Sequence, residues 1–143
     1  MKVVFIQPKS FFTWEALNIG YISAYLKQMV PDIQIDFFTE FYDSDEDIMQ
    51  GCKDAQFIGI TATSPQYKGA LKWAKKLHHP ERRIIVGGCH ASNRSFSVFD
   101  YDFVDYFVVG EGERIMHYLV EGKNIPKGVY EFRYIKNLDR LPF

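Results

Sequence analysis

At 143 residues the chain has the length of one ordinary domain and can bury a full core. Hydrophobic residues make up 47% and charged residues 24%, and a net charge of −1 gives neither nucleic acid nor an anionic membrane surface a handle. No apolar run approaches the roughly 18 residues of a membrane span, no signal peptide follows Met1, and two cysteines (Cys52, Cys89) make no disulfide framework, so the expected compartment is the cytoplasm.

In chain order, KVVFIQP (2–8) is an apolar run closed by Pro8 and reads as a buried strand. From Glu15 to Met29 the apolar residues Ile19, Ile22, Tyr25, Leu26 and Met29 fall at helical spacing, and Pro31 stops the helix. IQIDFFTEF (33–41) is a second strand. SDEDIMQGC (44–52) starts with a capping Ser44 and acids in its first turn, favourable at a helix N-terminus. FIGITATS (57–64) is a third strand, and 67–78 a helix carrying Leu71, Trp73, Ala74 and Leu77. RIIVGG (83–88) and DYFVVG (105–110) are the fourth and fifth strands, and a helix follows from about Glu113 to Val120.

Continuous apolar strands separated by helices predict a parallel sheet covered on both faces. With right-handed crossovers this is a doubly wound, Rossmann-like (flavodoxin-like) α/β domain with five strands, spanning residues 1–124. GVYEFRYI (128–135) alternates like a strand or hairpin arm, so 125–143 is expected to be a hairpin and linker.

Ligands of open α/β sheets bind beyond the carboxyl ends of the strands. The segments there are Gln7 and Pro8 with the aromatic loop KSFFTWE that holds Trp14; Thr61, Thr63 and Ser64; Gly87, Gly88, Cys89 and His90; and Gly110, Glu111, Gly112 and Glu113. Hydroxyls, glycines and acids therefore collect on one rim. Each also has a plainer reading. Glycines after a strand serve turns, strand-end threonines satisfy their own hydroxyls, and acids suit a helix start. Cys89 and His90 point to metal or thiol chemistry only if they act together. Neighbours on an extended chain face opposite ways, and no second Cys or His lies at ligand spacing. Neither a metal site nor a catalytic residue is expected. GxGxxG and GxxxxGK[ST] are absent, and the first strand lacks the acid cluster of a phospho-receiver.

Five segments, LNIGYISAYLK (17–27), FIGITATS (57–64), RIIVGGCHAS (83–92), VDYFVVGEGE (104–113) and NLDRLPF (137–143), together resemble the N-terminal cobalamin-binding domain of class B radical S-adenosylmethionine enzymes. That group includes methyltransferases and anaerobic Mg-protoporphyrin ester cyclases. The resemblance implies a cobalamin whose nucleotide tail enters beside Thr61, Thr63 and Gly87-Gly88, with the corrin over the rim near the first loop and the GEGE turn. Better-known cobalamin domains carry DxHxxG after the first strand. QPKSFFTWEALNIG stands here without a histidine, which implies base-off, His-off cobalamin suited to methyl transfer. The CxxxCxxC motif that holds a [4Fe–4S] cluster is absent, so S-adenosylmethionine and the cluster are expected only in a downstream radical domain in cis. The chain then reads as an excised or truncated module, not catalytic alone. A stand-alone corrinoid carrier, a flavodoxin-like ligand or signalling domain, and a protein-interaction domain whose ligand site has decayed are the alternatives.

Overall fold

The computed structural model describes residues 1–12, 15–93, 102–132, 135–137, 139 and 141–142. In chain order the elements are β1 (Lys2–Gln7), α1 (Leu17–Met29), β2 (Gln34–Thr39), α2 (Asp45–Gly51), β3 (Phe57–Thr61), a 3-10 turn (Ser64–Gln66), α3 (Tyr67–Leu77), β4 (Arg83–Gly87), the short α4 (Cys89–Ser92), β5 (Tyr106–Gly110), α5 (Glu113–Val120) and β6 (Gly128–Phe132). α2 begins at a reciprocal capping box between Ser44 and Asp47, with three acids in its first turn. No helix among the described residues is long and apolar enough to cross a membrane.

All strands are parallel, in the order β2-β1-β3-β4-β5-β6. The sequence anticipates five strands, and the sheet has six. Gly128–Phe132 pairs parallel with β5, Tyr106 opposite Gly128 and Gly110 opposite Phe132, so it is a sixth strand and not an arm of a hairpin. Its start is anchored by the buried Asp105. The Asp105 carbonyl accepts from the Gly128 N–H and its carboxylate pairs with Lys127.

Alternate strand residues feed two cores. On one face Val4, Ile6, Ile58, Ile60, Ile84 and Val86 meet Ile48 of α2 and Tyr67, Trp73 and Leu77 of α3. On the other, Val3, Phe5, Ile85, Tyr106 and Val108 meet Ile19, Ile22 and Leu26 of α1 and Ile115, Met116 and Leu119 of α5. Burying one such side chain contributes roughly 1.5–3 kcal/mol, so these two layers hold the sheet. α5 steps across the sheet in the same direction as α3 but on the opposite face. The β5–α5–β6 crossover therefore has the opposite hand to those through α1 and α3. Strand order reverses beside β1, between β2 and β3, and the carboxyl ends of β1 and β3 meet there.

Candidate functional site

A cavity of about 1120 Å³ opens at this rim and runs down between the sheet and the α1/α5 layer. Its sheet wall has two rows of side chains. The upper row, at the strand ends, is Gln7, Thr61, Gly87 and Val108. Two residues lower, roughly 6–7 Å down each strand, lie Phe5, Gly59 and Ile85, aligned by the strand register. α1 contributes Leu17, Asn18, Tyr21 and Ile22 to the opposite wall, and α5 contributes Glu113 and Met116. An edge-on contact between Tyr25 and His117, centroids 5.8 Å apart, helps join the two helices.

Glycine shapes the slot in different ways at different points. At Gly87 a Cβ would stand 3.6 Å from Val108 Cβ, an ordinary contact, so its missing side chain leaves space on the cavity wall. Gly88 is glycine for the chain's own sake. Its φ is +99° and a Cβ there would lie 2.8 Å from the backbone N and O of Ala62. Gly110, with φ +87°, is likewise closed off by the Phe132 carbonyl of β6. Ser92 joins these two turns: its hydroxyl donates to the Gly88 carbonyl at 3.1 Å and accepts from the Gly110 N–H at 3.0 Å.

The polar rim is wired from below. Gln66, only 2% exposed, accepts from the Thr63 N–H and hydroxyl, both at 3.0 Å, and donates to the Pro8 carbonyl at 2.6 Å. One amide thus fixes the loop after β1 to the turn after β3. Asn18 donates to Thr61 Oγ1 at 2.8 Å, which leaves the threonine proton free to point elsewhere. Glu113 is 7% exposed and its Oε2 has no hydrogen-bond partner among the described residues. Burial, seconded by the charge of Glu111, holds its carboxyl above the usual carboxylate range.

Of the residues expected at the site, Gln7, Thr61, Thr63, Ser64, Gly87, Gly88, Cys89, Gly110, Glu111, Gly112 and Glu113 line the cavity. Pro8 does not line it; it is buried and acts through its carbonyl. Trp14 lies outside the described residues. Cys89 and His90 are not on an extended chain: both belong to α4, because positive φ at Gly88 turns the backbone directly into a helical turn. Cys89 faces the cavity mouth, whereas His90 turns away and stacks on Tyr67. Sequence reasoning does not single out Asn18, Gln66 or Met116. Asn18 and Met116 sit in helices whose periodicity marks a core face but not a gap in it.

Doubly wound topology, a deep slot at the switch point and a rim without a phosphate loop define an α/β domain with room for a large cofactor. The chain belongs to the B12-binding domain family, whose model matches residues 4–120. No curated protein compared with it matches. Its cofactor is cobalamin, and the site fits that group. The slot exceeds the roughly 300–1,000 Å³ of common small-molecule sites. Its wall is lowered by Gly87, and the buried Glu113 Oε2, without a hydrogen-bond partner among the described residues, matches a ligand rich in amide and hydroxyl donors.

Proposed function

We propose that this domain is the cobalamin-holding module of a B12-dependent radical S-adenosylmethionine enzyme that serves methyl transfer. The nucleotide tail enters the slot between the sheet and α1/α5, and the corrin rests on the rim. The carrying observation is that none of the four histidines lines the cavity. His90, the nearest in sequence to the rim, is engaged with Tyr67 and Ser64. A cobalamin bound there would meet no histidine among the described lining residues, which supports a His-off mode, and entry of its tail into the slot would make it base-off as well. Cobalamin supplies a metal centre that can carry an alkyl group, and the chain supplies position and exclusion of water.

Thr61, Thr63, Ser64, Asn18 and Glu113 offer hydroxyl, amide and carboxyl partners to the tail and to corrin amides. Phe11, 96% exposed, and Phe12, 70% exposed, stand in the loop after β1, where a flat macrocycle would cover them. The segment after β6 stays close to the rim: the Ile135 N–H donates to Glu111 Oε2 at 2.6 Å, and Asp139 and Leu141 line the cavity. This supports reading residues 125–143 as a connector that passes the cofactor on its way to a radical domain in cis. S-adenosylmethionine and the iron–sulfur cluster belong to that domain.

The test is titration of the purified chain with hydroxocobalamin, then reduction and electron paramagnetic resonance. Binding in the micromolar range or tighter, with no nitrogen splitting from an axial base, is expected. Absence of binding would sink the reading, and axial nitrogen splitting would sink its His-off part. A CxxxCxxC motif in the coding sequence beyond Phe143 is expected for the radical assignment, and its absence there would leave a corrinoid carrier instead.

A further inference from the structure

The two levels of the slot differ in chemistry. The polar lining side chains come from strand ends, the turns after them, the start of α1, the first turn of α5 and the C-terminal segment. Below them, by strand register and by position along α5, the lining is Phe5, Gly59, Ile85 and Met116, all apolar. The Phe5 ring leans across Gly59, where an added Cβ would meet it at 2.5 Å, so it presents aromatic surface at this level. The nearest polar side chain on α5, Glu113, is one helical turn nearer the rim than Met116.

We infer that this lower compartment selects among corrinoids by the base at the end of the nucleotide tail, admitting dimethylbenzimidazole and disfavouring adenine. The inference rests on the reading that the tail enters the slot. Dimethylbenzimidazole leads with a carbocycle and two methyl groups, which match this lining. Adenine would bring an amino group with two N–H donors, together with further ring acceptors. Among these four residues those groups lose water and gain no partner, and a buried donor left unpaired is costly. A carboxyl at the level of Met116 would reverse the preference; none of the four offers one.

The experiment compares calorimetric titrations of the full chain with cobalamin, with the corrinoid carrying adenine in place of dimethylbenzimidazole, and with cobinamide, which lacks the nucleotide. The adenine corrinoid is expected to bind at least about tenfold more weakly than cobalamin, the scale set by one unpaired buried donor. Met116→Gln places an amide of similar length in the compartment and is expected to narrow that ratio. Equal binding of the two complete corrinoids, or tighter binding of the adenine form, overturns the selection, whatever the variant does. Cobinamide binding as tightly as cobalamin overturns entry of the tail into the slot. Failure of all three corrinoids to bind overturns the cobalamin reading itself.

Discussion

His90 stacks on Tyr67 with ring centroids 4.0 Å apart and planes 28° apart, and its Nδ1 lies 3.0 Å from Ser64 Oγ. The imidazole is thus part of the packing between α4 and α3, turned away from the cavity. His90→Ala is expected to lower the melting temperature modestly, to leave cobalamin affinity within about threefold, and to leave the paramagnetic spectrum of reduced cobalt unchanged. A changed axial signal in the variant would mean that this histidine reaches the metal.

The neighbouring glycines separate binding from folding. Gly87→Val projects a side chain into the slot where only ordinary contacts await it. The variant is expected to fold, with stability changed by about 1 kcal/mol, and to lose most of its corrinoid binding. Gly88→Ala meets the Ala62 backbone in a conformation that L-residues rarely adopt. It is expected to cost about 1–3 kcal/mol or more in stability. Thermal melts beside corrinoid titrations check both, and normal binding by Gly87→Val would remove that residue from the wall.

The two thiols should behave differently. Cys52 is fully buried and burial pushes its thiol up to about 11, so little thiolate forms at neutral pH. Cys89 is exposed at the cavity mouth. A disulfide reagent is expected to label one thiol quickly in the native protein, and Cys89→Ser to abolish that phase. Cobalamin at ten times its dissociation constant should slow it about tenfold by occupancy. Fast labelling of both thiols in folded protein would contradict the burial of Cys52.

Glu113 sets a pH dependence. Burial raises its carboxyl in the folded state, so the folded chain holds this proton more tightly than the unfolded chain does. Stability from this group is complete at low pH. It declines as pH rises from the ordinary glutamate range through the raised folded value, because a buried group must then ionise. Glu113→Gln is expected to be more stable than the parent where the pH exceeds the raised folded value, with the difference fading as pH falls into the ordinary glutamate range. Denaturant melts across that range measure it, and a gap that widened on acidification would refute the assignment.

The strands and their rim were legible because their signals are local. Apolar runs such as 57–61 end in hydroxyls or glycines, and topology places those ends together. β6 was not legible as a parallel strand: it lies at the sheet edge, largely exposed, and its alternation suits a strand or a hairpin arm equally. The turn at Cys89 and His90 depended on positive φ at Gly88, which a glycine permits without announcing. The apolar lower compartment was also hidden. Phe5, Ile85 and Met116 obey the same periodicity as residues in a filled core, and the cavity between the sheet and α1/α5 shows only in the assembled fold.

The two helical walls of the slot, α1 and α5, are encoded at opposite ends of the domain, at residues 17–29 and 113–120. At roughly 5–20 residues per second of synthesis, several seconds separate their emergence from the ribosome. A nascent chain that displays β1 and α1 holds only one side of the cleft. On the proposed placement of the cofactor, capture of cobalamin waits until α5 has closed against α1, which makes loading an event that follows synthesis of residue 120.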